Sequence, residues 1–200
     1  MLDDDSILSF YDKLLEKHQF SASAVGWNSE ERQCRRFQII FDTQTSWEAK
    51  SILDVGSGLG DFYNFLKCRV SNFDYLGIDA NEQMVEFAKR AYPGAEFYRS
   101  FFQTYKSDQL FDITVASGLF GVLLDKPVDV FRSFLLFSRK YTNETLILNL
   151  LKANPKRVRS KIYCYFDVEE VKEICNNLNL NYSINDFYLD NDFTLVVNYS

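Results

Sequence analysis

Histidine is all but missing from this chain: its 200 residues contain one, His18. Neither a Ser/His/Asp triad nor a histidine-rich metal centre can be assembled from a single imidazole. A general-base role for His18, which falls in the first helical stretch, has no partner in the sequence to support it. Cysteine is sparse and scattered. Cys34, Cys68, Cys164 and Cys175 form no C-x-x-C pair, which argues against a zinc site or a disulfide framework and for free thiols in a reducing compartment. No apolar run approaches the roughly 18 residues of a membrane span, and no N-terminal stretch reads as a signal peptide. The expected location is therefore cytoplasmic, with no membrane partner. A broad basic face is lacking as well. The net charge of −6 argues against nucleic acid as a partner, although a local patch can outvote a net charge. No internal repeat or low-complexity linker is visible.

What remains is enough for a full core. Hydrophobic residues make up 46% of the chain, and 19 Phe and 12 Tyr raise the aromatic share to 16%, which reads as a Phe-rich interior. One domain over 1–200 is expected, with a helical cap at 1–50 and an α/β core at 51–200. In the cap, Asp3-Asp4-Asp5-Ser6 places negative charge and a hydroxyl before Ile7, Phe10, Tyr11, Leu14 and Leu15. A second helix is expected after Asn28-Ser29, without a full capping box because Arg32 stands where Glu or Gln would be. From Ser51 onward, apolar runs at 51–55, 75–79, 95–98, 112–117 and 144–150 alternate with helical patterns at 61–67, 82–91 and 128–139. That alternation predicts a doubly wound, mostly parallel sheet, Rossmann-like, covered on both faces. A helix at about 167–178 is followed by two β-rich runs, Asn181–Tyr188 and Phe193–Tyr199, joined by Leu189-Asp190-Asn191-Asp192. These predict a C-terminal antiparallel hairpin, for seven strands in all.

The richest segment is Ser51-Ile52-Leu53-Asp54-Val55-Gly56-Ser57-Gly58-Leu59-Gly60-Asp61. A buried strand gives way to three glycines at every second position and then to a helix. Glycine there lets the backbone turn sharply and approach a ligand. A dinucleotide fingerprint G-x-G-x-x-G would need its third glycine at position 61, where the chain has Asp61. An anion at that place repels a pyrophosphate and suits a cationic ligand. Nineteen residues after Gly60, the strand Tyr75-Leu76-Gly77-Ile78 ends in Asp79. A carboxylate there can accept hydrogen bonds from ribose hydroxyls or can cap the next helix. The acid, the glycine spacing, the second acid and the terminal hairpin together resemble the class I S-adenosylmethionine-dependent methyltransferases, from residue 51 to the end.

The resemblance implies a donor site. Asp54, Gly56, Ser57, Gly58 and Gly60 would cradle S-adenosylmethionine, Asp79 would hold its ribose, and Ala80 and Met84 would line its adenine. The family usually places an acid after its third strand to meet the adenine amino group. Here that stretch reads Phe97-Tyr98-Arg99-Ser100-Phe101, so Ser100 backbone groups and the Phe101 ring would take its place. Ser117 and Gly118, at the end of the fourth strand, would touch the methionyl end or the acceptor. The N/D-P-P-Y/F sequence of enzymes that methylate amide and exocyclic nitrogens is absent from that strand. Ahead of the core, Gly26-Trp27-Asn28-Ser29 leading through Gln33 to Arg36-Phe37 resembles a small bacterial branch of these methyltransferases. Gln33 and Arg36 share a helix face, and Arg36 either pairs with the cofactor's carboxylate or is a surface arginine. The acceptor is expected to be a small molecule near Tyr11, Trp27, Phe120 and the 152–161 loop. Lys152, Lys156, Arg157, Arg159 and Lys161 there would clamp an anion or form a solvated loop.

Two other readings stay open on the residues alone. One is an NAD(P)-dependent reductase, for which a Tyr-x-x-x-Lys pair, Tyr63 and Lys67, exists but follows the glycine loop directly. The other is a non-catalytic relative that binds the cofactor or a partner, since no general base is evident.

Overall fold

The computed structural model describes residues 4–26, 29–122, 125–153 and 162–200. Its seven strands are β1 (Lys50–Val55), β2 (Phe73–Asp79), β3 (Glu96–Arg99), β4 (Phe111–Ser117), β5 (Thr142–Leu151), β6 (Asn181–Asn185) and β7 (Asp192–Asn198). They form one sheet in the order β3-β2-β1-β4-β5-β7-β6. The first five are parallel, and β7 inserts antiparallel between β5 and β6. This is the α/β sheet the alternation predicts. The helices are α1 (Asp4–His18), α2 (Glu30–Asp42), α3 (Asp61–Lys67), α4 (Glu82–Ala91), α5 (Pro127–Tyr141) and α6 (Val168–Asn177).

Local chemistry sets the helix starts. Ser29 accepts a hydrogen bond from the Arg32 N–H at 3.3 Å, with Glu30 and Glu31 in the first turn of α2. The single cap forms even though the reciprocal half of the box is missing. Asn81 accepts from the Met84 N–H at 3.1 Å and starts α4, so Asp79 is not that helix's cap. Pro127 occupies the first turn of α5, where its missing N–H loses nothing. Asp167 caps α6 through the Glu169 and Glu170 N–H groups.

The strands read as continuous apolar runs because both faces are covered. Leu53 and Val55 of β1 face a Phe-rich layer with Phe102, Phe120, Phe131, Phe134 and Phe166, beneath α5 and α6. Ile52 faces the opposite layer, with Phe37, Ile40, Trp47, Phe62 and Leu66 from α2, α3 and the segment before β1. A third, smaller cluster of Leu15, Ala24, Leu59 and Met84 seats α1 over the glycine loop. Asp12 of α1 also accepts from the Asn81 side chain at 2.8 Å.

The hairpin departs from its expected bounds. β6 ends at Asn185 rather than Tyr188, and β7 begins at Asp192. Tyr188 leaves the strand because its hydroxyl turns inward, within 2.9 Å of Thr194 Oγ1 and 3.3 Å of Asn149 Nδ2. Asp192 is no connector residue: it pairs in register with Leu151.

Candidate functional site

A cleft of about 1210 Å³ of empty space, open to solvent, lies over the carboxyl ends of β1, β2 and β4. Open parallel sheets bind ligands at this edge, where neighbouring loops diverge. The glycine loop forms its floor. Gly58 has φ of 53°, and a Cβ there would come within 3.1 Å of Val25 Cγ1. A side chain at this point would be strained by its backbone and would fill the space between the loop and the cap. Gly60 has a different task. With φ of 82° it turns the chain into α3, and a Cβ would meet the Tyr92 ring at 2.9 Å. It does not line the cleft. Here it shapes the turn from below the loop.

Two carboxyl groups face this loop from adjacent strands. Asp54, on β1, is 3% exposed and accepts a short hydrogen bond from the Tyr75 hydroxyl. Burial pushes its pKa up to about 7 against the pull of that bond, with Asp79 and Asp61 adding repulsion. Asp79, at the end of β2, accepts from the Gly58 N–H at 2.9 Å through Oδ2 and from the Asn81 N–H at 2.8 Å through Oδ1. Burial raises its pKa too, while these backbone donors oppose the shift. Each oxygen keeps a further lone pair for a ligand. Asp61, at the first turn of α3, accepts from Gln33 Nε2 at 2.8 Å, which fastens the cap to the core. Its pKa is raised, chiefly by burial.

One polar atom is left over. Among the described residues, Ser57 Oγ is the buried side-chain oxygen without a hydrogen-bond partner. Such groups are rare because an unmade bond in the interior is expensive. Gly77, which the sequence gave no reason to single out, makes room for it: a Cβ there would lie 2.8 Å from Ser57 Oγ and 2.6 Å from the Phe97 ring.

The cleft gathers Asp54, Gly56, Ser57, Gly58, Asp79, Ala80, Met84, Ser100, Phe101 and Ser117 from the expected set. Arg36 is not with them. It lies in a neighbouring cleft, and its guanidinium grips Asp192, with Nε 2.9 Å from Oδ2 and a second, shorter bond to Oδ1. The pair is buried, at 8% and 1% exposure. The expected pairing of Arg36 with a cofactor carboxylate is thus corrected: Asp192, 156 residues away, takes that fork. Spacing on α2 put Gln33 and Arg36 on one helix face and left a surface arginine open; both side chains are buried, and no local signal points to Asp192.

Other expectations fall elsewhere. His18 closes α1 and lies outside both clefts. Tyr63 packs among Phe73, Tyr75 and Tyr92, while Lys67 lies 5.2 Å from the Tyr92 ring centre. Neither reaches the cleft, so the pair has no nicotinamide to face. Lys152 is tied to Asp186 at 2.6 Å. Trp27, Lys156, Arg157, Arg159 and Lys161 lie outside the described residues. Among the described residues no cluster of His, Cys, Asp and Glu is placed to hold a metal ion, and no helix is long and apolar enough to cross a membrane.

Residues 52–136 match the family model described as a methyltransferase domain. The chain superimposes on the structure titled "DhpI-SAM-HEP complex" with a TM-score of 0.74, covering 98% of this chain and 99% of that one at 12% identity. The chain has the fold of that structure, and its stretch 52–136 is similar to a methyltransferase domain. Demethylmenaquinone methyltransferase of Thermotoga maritima is 25% identical to it over 162 residues, or 80% of this chain and 68% of that protein. Protein 235L of Invertebrate iridescent virus 6 is 27% identical over 114 residues, 52% of this chain. The chain spans 43% of the length of that viral relative. The matched stretch of the methyltransferase domain contains the glycine loop, Asp79 and the end of β4, the parts that build the cleft.

Proposed function

We propose that this chain transfers a methyl group from S-adenosylmethionine to a small-molecule acceptor, with the large cleft as the donor site. The observation that carries this is the trio of oxygen groups around the glycine loop: the buried Asp54, the half-buried Asp79 and the buried, unpartnered Ser57 hydroxyl. Two carboxyl groups suit a ligand with a sulfonium and an ammonium and repel a pyrophosphate. In this reading Asp79 accepts from the ribose hydroxyls with the lone pairs its backbone bonds leave over. Ser57 finds its missing partner in the ligand. Asp54, with Gly56, Gly58 and Ser117, faces the methionyl end. Ala80, Met84, Ser100 and Phe101 bracket the adenine, which meets apolar surface and backbone groups in place of an acid.

Bound there, the donor supplies the methyl carbon: a lone pair on the acceptor bonds to it as the carbon–sulfur bond breaks, and the electron pair stays on sulfur. The chain's own work is alignment and the exclusion of water. Tyr11, Val25 and Gln33 bring the helical cap down onto the loop, and the Gln33–Asp61 bond holds it there. The free, exposed thiols of Cys34 and Cys68 fit a reducing cytoplasm.

Calorimetry with S-adenosylmethionine, S-adenosylhomocysteine and NADPH tests the reading. Binding of the first two and not of NADPH is expected. An Asp79→Ala variant should bind S-adenosylhomocysteine at least about tenfold more weakly, since hydrogen bonds to charged groups are worth roughly 1.5–3 kcal/mol each. Wild-type protein that ignores both sulfur nucleosides overturns it.

A further inference from the structure

A second cleft adjoins the first, with about 810 Å³ of empty space open to solvent. Tyr11, Val25, Gly118 and Val122 line both, so the two share a wall rather than lying apart. The remaining walls come from distant parts of the chain: Arg32 and Arg36 on α2, Tyr163 and Tyr165 ahead of α6, and Asn191 and Asp192 at the start of β7. Two guanidiniums therefore face one carboxylate. Arg36 and Asp192 satisfy each other. Arg32 has no such partner among the described residues. It donates from Nη2 to a neutral acceptor, Asn191 Oδ1, at 3.1 Å, which orients the fork without neutralising it. The cleft thus keeps a net positive charge on a half-buried, oriented guanidinium, the geometry that matches an oxyanion. The same cleft is lined by four aromatic residues, Phe10, Tyr11, Tyr163 and Tyr165.

We infer that this second cleft receives the methyl acceptor, and that the acceptor is a small anion with a flat apolar body. Its carboxylate or phosphate sits on Arg32, and its body lies against Tyr163 and Tyr165. The atom to be methylated is then directed past Tyr11 and Gly118 toward the donor cleft. The inference rests on the donor reading above for its methyl source. The anion site itself stands on Arg32 and the aromatic walls. Asn191 is a positioning residue, because it acts only by holding the Arg32 fork.

The test is calorimetric titration of the S-adenosylhomocysteine-loaded protein with benzoate, phenyl phosphate and the neutral benzamide. At least one anion should bind at least tenfold more tightly than benzamide, and whichever anion is preferred identifies the oxyanion. Arg32→Gln should erase that preference while leaving benzamide binding and S-adenosylhomocysteine affinity within twofold, the latter showing that the variant is folded. Arg32→Lys, which keeps charge and loses the fork, should retain part of the preference. Arg35→Gln, at an exposed position of the same helix, should behave as wild type. Benzamide binding as tightly as both anions, or an anion preference that survives Arg32→Gln, overturns the inference. Failure of wild-type protein to load S-adenosylhomocysteine instead overturns the donor reading, and the anion titrations on unloaded protein still read Arg32 on their own.

Discussion

The two clefts share a wall yet are built over very different chain distances. The floor of the donor cleft is short-range work. Asp54, the glycine loop and Asp79 lie within 26 residues of sequence, and the bond that positions Asp79 spans 21. Backbone N–H groups do most of the holding there, so the loop's own conformation carries the geometry. The second cleft is closed by side chains that meet across 156 and 159 residues, Arg36 with Asp192 and Arg32 with Asn191. The floor of one cleft is shaped by the glycine turn within it, with the cap as its roof. The other exists only when the helical cap and the hairpin have both docked on the sheet. On the proposed reading, a cradle for the donor and a chamber for the acceptor are thereby placed under separate control.

The sharpest way to break this separation is Arg36→Ala. It leaves the Asp192 carboxylate buried without its partner, and breaking such a pair destabilises by about 3–5 kcal/mol. In denaturant unfolding the loss should be of that size, while the folded fraction keeps its S-adenosylhomocysteine affinity within about twofold. A large fall in that affinity would show that the two clefts are not independent. The double variant Arg36→Ala/Asp192→Ala should recover part of the loss, since neither charge is then orphaned.

Gly77→Ala strikes from beneath the donor cleft. A methyl there meets the buried Phe97 ring at 2.6 Å and Ser57 Oγ at 2.8 Å, and overpacking of this kind costs about 1–3 kcal/mol. Both stability and donor affinity should fall, because the same atom crowds the core and displaces Ser57. Gly58→Ala is a cleaner cut. The left-handed backbone costs a non-glycine residue roughly 1–2 kcal/mol, and the methyl narrows the cradle against Val25. Donor affinity should drop more than stability, and anion binding in the second cleft should hold.

A smaller effect comes from pH. Burial lifts Asp54 to about 7, beside Asp79 and Asp61, which are also raised, and beneath the Tyr75 hydroxyl. A folded-state value above the unfolded one means that the stability Asp54 contributes is present at low pH and lost as pH rises through about 7. Binding a cationic donor runs the other way, because it favours the carboxylate. Affinity for S-adenosylmethionine should therefore climb as pH rises toward 7 and level off above it, by at most about tenfold per pH unit for one proton. Asp54→Asn should flatten that rise. Anion binding in the second cleft should not follow the same curve, so a shared pH profile would undo the comparison.

Reading the chain alone reaches unequal depths in the two regions. The strand, the three glycines, Asp61 and Asp79 announce themselves because each is a local requirement: an apolar run for a strand buried on both faces, glycine for positive φ, an acid at a strand end. Helices α3 and α4 fall on their expected residues for the same reason. Gly60 was legible as a turn residue but not as one beneath the cradle, since only the packing of Tyr92 and Phe97 against it decides that. Tyr188 read as strand by composition, yet its hydroxyl is claimed by Asn149 and Thr194. Arg36 was placed on one helix face with Gln33, but neither its burial nor its partner was legible. Gly77 passed unnoticed because the crowding that demands glycine comes from two other elements.

By itself, then, the amino-acid sequence determined the alternating α/β sheet with its terminal hairpin and the glycine cradle flanked by two acids. These follow from periodicity, backbone sterics and capping, all of which act within a few residues. Only the tertiary structure decided that Asp192 captures Arg36, that Asn191 orients Arg32, and that Ser57 is buried without a partner. Each of these depends on desolvation and on contact between segments that sequence order keeps far apart, and such contact arises only once the cap and the hairpin close on the sheet.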